Sequence, residues 1–463
     1  ARLEQRATVL TDRAHARFLQ GMLAARDADL AEVASLAEHS DDQDLQLQAW
    51  VQRVRYLNLD AKFEEAISLA QKGLQLAGEM ERDAVRSRLL AQIGFGHYLL
   101  GQPRQALTAL ESALDTIGTD GSPAERGRIA HILGYVYFHL GAYSRALTRQ
   151  REAYSCHRRI DDANRVAWDG LDIGALHLEM GEFAAARTYL TEHLDLARRI
   201  GARPPEAYGL TLLGRLRLYE GSYALAAERF EEARTAQQAL RSEHGLMAAE
   251  LCMGRARYHL GRVDQARPIL RKAVQRGRSI GHRRRLAASL VSLGLVDIAA
   301  GRPSAARPAL EEGTELARRI ECWPTVAAGC CALARLDRAV GRPRRAARFA
   351  QDAIATANGR ELSPLRVWAR VELALAALDR GERMEALGQT ALAVGGLSGL
   401  HEGWLGSEEV HRAHALALEA AGHMDEARRQ RRLAAMTIQA KAERIADPET
   451  RQHYLKFAKT SFG

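Results

Sequence analysis

Residues 98–107 read YLLGQPRQAL, residues 138–147 read FHLGAYSRAL, and residues 178–187 read LEMGEFAAAR. In each, an apolar stretch runs into a glycine and a second such stretch follows. The glycine returns at 101, 141, 181, 221, 261, 301, 341 and 381, then one residue late at 422. Five residues after it stand Ala106, Ala146, Ala186, Ala226, Ala266, Ala306, Ala346, Ala386 and Ala427. Seven residues before it stand Gly94, Gly134, Gly174, Gly214, Gly254 and Gly294, replaced later by Ala334, Ala374 and Ala415. Three locked columns over nine copies define an internal repeat.

Each column has a physical reason. The turn glycines Gly101, Gly141, Gly181, Gly221, Gly261, Gly301, Gly341, Gly381 and Gly422 suit the left-handed residue that ends a helix. Pro103, Pro303 and Pro343 follow two residues on, where the next helix begins. The upstream glycine sits inside a helix at a cost of about 1 kcal/mol relative to alanine, so close helix contact must offset it. The downstream alanine is the expected partner of that contact. Leu107, Leu110 and Leu114 show the helical apolar spacing of the second stretch, and breakers such as GTDGSP (118–123), GARPP (201–205) and NGRELSP (358–364) separate the units. Each unit is therefore a helix pair that buries its apolar face only by stacking on its neighbours.

Ala61 and Ala66 mark a fainter unit in 59–74, and AARDADLAEVASLA (24–37) marks another. The expected organisation is two degenerate pairs over 1–80, nine regular repeats over 81–440, and a C-terminal capping helix within 441–463. The fold class is all-α, a right-handed superhelical solenoid of about eleven antiparallel pairs.

The small, turn-glycine and alanine columns, with Gly94, Gly101, Ala106 and Ala113 in signature places, resemble the tetratricopeptide repeat. The forty-residue length is similar to the longer variety in kinesin light chains, spindle adaptors, and the C-terminal sensor arrays of bacterial signal-transduction ATPases and the maltose-regulon activator. Asparagine occurs only at 58, 164 and 358, so the Asn-rich groove of the spindle adaptors is missing. The resemblance implies a non-catalytic array that binds protein or peptide. It would act as sensor or scaffold of a multidomain signalling or transcription-regulating protein, with an adjoining ATPase or output domain as a further partner. A free-standing adaptor or peptide receptor is the alternative.

The resemblance also implies that the first helix of each pair lines the inner surface. Its inward positions would be Arg88, Arg128, Trp168, Tyr208 and Trp368 near the helix start, with Phe95, Tyr135, Arg215, Arg255 and Arg335 two turns later. Tyr98, Phe138, His139, Tyr258 and His259 follow. Guanidinium forks suit carboxylates and aromatics suit apolar anchors, so the expected partner is a protein or peptide, acidic in the arginine-rich part. Alanine at 215, 255 and 335 together is expected to leave the helices intact and abolish capture.

Other chemistry finds little support. No phosphate-binding loop, HExxH or serine elbow occurs, and GFGHYLLG (94–101) lies within a helix with no strand before it. His401, His411 and His414 lack flanking residues with matching ligand chemistry, so no metal or cofactor is expected. The five cysteines, Cys156, Cys252, Cys322, Cys330 and Cys331, read as buried thiols of a reducing cytoplasm. The N-terminus is charged from its second residue, unlike a secretory signal, and no apolar run is long enough for a membrane span. The net charge is +9, and residues 255–348 alone hold 21 Lys/Arg against 7 Asp/Glu. That basic stretch makes nucleic acid a third, weaker reading, because its arginines are scattered over helix turns and loops.

Overall fold

All nine turn glycines have φ between 67° and 90°. The residue after each glycine donates its amide to the carbonyl five positions back, as Gln102 does to His97 at 2.9 Å and His423 to Leu418 at 2.8 Å. This bond satisfies a helix-end carbonyl that would otherwise have no partner. Between units the same left-handed backbone recurs at Glu81, Asp161, Arg241 and Glu321, with φ of 50–54°. There a side chain costs about 1 kcal/mol that glycine would not.

The computed structural model describes residues 2–19, 22–40, 42–59, 62–118, 121–399 and 406–460. Ala61 and His401 lie outside them. Among the described residues all regular structure is helical, in eleven successive antiparallel pairs and one further helix. The first pairs are α1 (Arg2–Leu19) with α2 (Leu23–Glu38), α3 (Gln43–Leu59) with α4 (Phe63–Glu79), and α5 (Asp83–Leu99) with α6 (Pro103–Ile117). Then come α7 (Pro123–Leu140) with α8 (Tyr143–Arg159), α9 (Ala163–Met180) with α10 (Phe183–Arg199), and α11 (Arg203–Tyr219) with α12 (Tyr223–Ala239). Next are α13 (Glu243–His259) with α14 (Val263–Ser279), α15 (Arg283–Ala299) with α16 (Pro303–Arg319), and α17 (Trp323–Ala339) with α18 (Pro343–Ala357). The last are α19 (Ser363–Leu378) with α20 (Arg383–Gly395), α21 (Ser407–Ala420) with α22 (Met424–Glu443), and finally α23 (Pro448–Thr460). No described helix is long and apolar enough to cross a membrane. All five cysteines are buried and none forms a disulfide.

Two compact units divide the chain: Ala1–Val136 with Ser155–Ile160, and Tyr137–Tyr154 with Asp161–Gly463. In the first, Val54, Ala66, Ala70, Leu89 and Ile93 form a core between α3, α4 and α5.

The upstream glycines show why the repeat tolerates them. A Cβ on Gly94 would lie 2.5 Å from Leu110, and within the second unit the same holds for Gly174 with Leu190, Gly214 with Phe230, Gly254 with Leu270 and Gly294 with Leu310. The knob that fills the notch thus stands sixteen residues downstream, and each of these five side chains is fully buried. This corrects the expectation that the column alanine is the partner: Ala106 contributes its carbonyl oxygen, 3.2 Å from the absent Cβ of Gly94. Where the notch residue becomes Ala334, the knob shrinks to Ala350 in the same core cluster. Volume is exchanged across the pair, as a close-packed interior requires.

In the second unit the solenoid winds until segments about 220 residues apart touch. The Ser144 amide donates to the Glu361 carboxylate at 2.6 Å across 217 residues, and Leu362 sits against Gly141. Arg444 donates to the Glu220 carbonyl across 224 residues. The terminal helix α23 follows that return. Tyr454 packs against Tyr223, Phe457 sets its ring edge-on to Tyr258, and the absent side chain of Gly261 leaves the room that Phe457 fills. Arg262 reaches Glu449 at 3.3 Å, and Arg412 donates to the Ala458 carbonyl at 2.6 Å. Tyr454 and Ala458 join Leu218, Tyr223, Phe230, Met253 and Ala256 in one buried cluster.

Candidate ligand cavity

The winding of the second unit encloses a cavity of about 340 Å³. Its walls come mainly from the first helices of successive pairs, with Tyr143 of α8, Phe183 of α10 and Leu270 of α14 added from second helices. Leu178 of α9, Val291 and Leu295 of α15, Leu365 and Val371 of α19 and Val410 of α21 supply apolar surface. Tyr143, Phe183 and Trp368 add aromatic surface, and Leu362 brings in the loop that meets Gly141.

Charged groups enter as ion pairs with one exception. Arg215 pairs with Glu179, whose carboxylate also accepts from Tyr219 at 3.4 Å. Burial works against the charge on Arg215, yet Glu179 and Tyr219 hold its pKa above the ordinary guanidinium value. Arg335 bridges Glu372 at 2.7 Å and Glu409 at 2.8 Å, and lies over the Trp368 ring. The Trp368 indole donates to Glu372 at 2.9 Å. Burial raises the pKa of Glu409, and Arg335 pulls it back. Behind the wall, Lys441 of α22 takes Glu408 at 2.5 Å, with both side chains buried. The exception is Arg255 of α13. It lines the cavity half-buried, and among the described residues its side chain has neither an ion-pair nor a hydrogen-bond partner.

Six of the residues expected on the inner surface line this cavity: Arg215, Arg255, Tyr258, His259, Arg335 and Trp368. The others of the second unit lie outside its lining. Trp168 and Tyr208 pack with ring centroids 5.2 Å apart, and Tyr208 donates to Asp172 at 3.0 Å. Phe138 touches both His139 and Tyr143. In the first unit Phe95, Tyr98 and Tyr135 form a stacked row with centroids 6.4 and 6.5 Å apart. Arg88 and Arg128 share Glu125 beside it. His411 and His414 bond Gln430 and Thr390, at 2.7 and 2.9 Å.

The expected arginine row is not uniform. Glu372 is fully buried, so alanine at 335 strips a cation from a carboxylate that cannot reach water. Breaking such a pair costs about 3–5 kcal/mol. The triple alanine variant would therefore damage the fold, and only Arg255 can be removed cleanly. Part of the wider basic stretch is engaged in ion pairs as well: Arg267 with Asp297, Arg276 with Glu250, Arg278 with Glu312, Arg307 and Arg345 with Asp337, and Arg338 with Asp379.

Sequence reasoning passed over Glu179 and Tyr219, although they share a forty-residue column with His139 and His259. Following that column would have found them. Glu408, Glu409 and Lys441 carry no such signal, because the last regular unit is out of register by one residue and Lys441 stands near the end of α22, well past its column alanine Ala427.

Residues 245–319 match the tetratricopeptide repeat model. No curated protein matches the chain in sequence. Among solved structures, a Rap protein complexed with competence and sporulation factor is similar at 12% identity and a TM-score of 0.55, covering 86% of this chain and 99% of its own. The Rap conjugation gene regulator of plasmid pLS20, solved with a peptide, is similar at 14% identity and a TM-score of 0.53, covering 76% and 97%. At such identity the likeness is one of fold: a tetratricopeptide-like solenoid.

Proposed function

We propose that this chain is a non-catalytic binding solenoid whose enclosed cavity receives a peptide or a short segment of a protein partner. The observation that carries the reading is the cavity itself, apolar in its walls and entered by guanidinium and carboxylate groups held by their neighbours. Pre-organised polar groups in an apolar enclosure are the usual make-up of a ligand site. The charged groups on its walls, Arg255 apart, are engaged as ion pairs, which favours recognition over turnover. The complexes of the two Rap proteins, one with competence and sporulation factor and one with a peptide, support the same reading by analogy of fold.

A sensor or scaffold role in a bacterial signalling or transcription-regulating protein follows as the finer proposal. An intracellular setting and an adjoining ATPase or output domain belong to it. A wound solenoid suits such a role, because a ligand that prefers one winding shifts contacts far from where it binds.

The test is a plugged cavity. Ala288 of α15 lines the cavity about one helical turn before Val291, and Ala288→Phe would fill part of the space. Binding to an array of linear peptides should be lost while the helical circular dichroism spectrum stays the same. Undiminished binding by the plugged variant would place the ligand elsewhere.

A further inference from the structure

Resting on the reading of the cavity as a ligand site, we infer that its ligand is an apolar chain ending in a single carboxylate, which Arg255 receives. The inference comes from pairing the charged side chains that line the cavity. Glu179 is taken by Arg215, Glu408 by Lys441, and Glu409 with Glu372 by Arg335. Arg338 adds a second cation to Glu372 at 3.6 Å. Each carboxylate on the wall thus has a cationic partner, and Arg255 is the guanidinium on the wall that has none among the described residues.

The surroundings of Arg255 keep that charge uncompensated. Tyr258 and His259, its neighbours on α13, also line the cavity, and burial with Arg255, Lys441 and Arg335 nearby keeps His259 neutral. An unpaired cation in an enclosure of low dielectric attracts an anion far more strongly than one in water. The guanidinium fork fits a carboxylate through two parallel hydrogen bonds. The charge count also limits the anion. A dianion such as a phosphate monoester would find a single unpartnered guanidinium on the wall, which also carries the carboxylates of Glu179 and Glu409. The remaining walls are apolar, from Leu178, Val291, Leu295, Leu365 and Val410. They ask for an alkyl or apolar side-chain body.

Two sources supply this chemistry, the C-terminus of an apolar peptide and a free alkanoic acid, and the experiment separates them. Binding to the full chain is measured by titration calorimetry with decanoate against decanol. It is measured in parallel with an acetylated leucine–valine tetrapeptide as free acid against its C-terminal amide. In at least one of these two arms the acid should bind ten-fold or more tightly than its neutral counterpart, and the arm that responds names the source. Arg255→Met should abolish that preference and Arg255→Lys should retain part of it. Both variants should melt no lower than the parent, since the removed guanidinium has no partner to orphan. Acid and neutral forms bound equally, with both blocked by Ala288→Phe, would overturn the carboxylate inference and leave the cavity as a ligand site. A preference that survives Arg255→Met would overturn it also. No binding of any probe to the parent chain would overturn it, while the peptide array separately decides the fate of the cavity reading.

Discussion

A glycine in the middle of a helix is ordinarily a defect, and here its value depends on what stands opposite. Gly214 faces the Phe230 ring, with the nearest ring carbon 2.6 Å from where a Cβ would be. Phe230 is fully buried, so the ring has nowhere to retreat. Gly388 in α20 has nothing within 4 Å and is exposed. The same substitution should therefore act with opposite signs. Gly214→Ala gains about 1 kcal/mol of helix propensity but overpacks the pair by roughly 1–3 kcal/mol, for a net loss of up to about 2. Gly388→Ala keeps the whole gain, roughly 0.5–1 kcal/mol. Thermal melts of the two variants check this, and a rise in both would show that the glycine notch carries no packing role. The sequence told where these notches are, because they recur on the repeat. What fills them was less legible: Leu110, Leu190, Phe230, Leu270 and Leu310 also recur, but apolar residues are so common on these helices that the column hides among them.

At the scale of the element, the helix pairs could be read from turn chemistry because a pair is a local object. Gly101 and Pro103 determine where α5 ends and α6 begins without help from distant residues. The placement of α23 has no such local cause. Its sequence shows a helix start at Pro448, but its partners Tyr223, Tyr258 and Arg262 lie about 190–230 residues earlier, where the winding of the intervening repeats brings them. Small rotations between repeats accumulate over that distance, and no single column encodes them. The same accumulation decides which inward residues share the cavity, which is why Arg255 and Trp368 meet there while Trp168 stays outside its lining. The contact of α23 is substantial. Tyr454 is 2% exposed, and truncating a buried aromatic ring costs about 3–5 kcal/mol. Tyr454→Ala should thus detach α23 before the pairs melt. Hydrogen exchange should then speed up at amides of 448–460 and stay slow in α16 and α17. Uniform acceleration throughout the second unit would mean that α23 is part of its common fold and not an added strap.

For the molecule as a whole, the inward face gathers histidines beside arginines, and this couples stability to pH with a definite sign. His139 is held well below the usual imidazole value by burial first, then by Arg284, His282 and Arg285. His259 is lowered in the same way by burial, Arg255, Lys441 and Arg335. His282 is pushed down to about 3 by burial, Arg285, Arg284 and His244. Each is neutral in the folded protein at pH 6, whereas in the unfolded chain it takes up a proton near its ordinary value of 6.5. The unfolded state therefore binds more protons as the pH drops below about 6.5, and stability must fall with it. Above that value both states carry neutral imidazoles and the dependence vanishes. Glu409 works in the opposite direction, since burial raises its pKa above 4.5 and the folded state then gains from protonation. Its window opens nearer that value, so measurements kept above about pH 5 report mainly the histidines. The melting temperature should be level from about pH 8 to 7 and decline from about 6.5 to 5. Replacing His139, His259 and His282 with glutamine should flatten the decline, because glutamine carries no proton to lose or gain. A parent curve that is level down to about pH 5 would show that these imidazoles are as free to ionise in the fold as in water, and that the inward arginines exert no collective field.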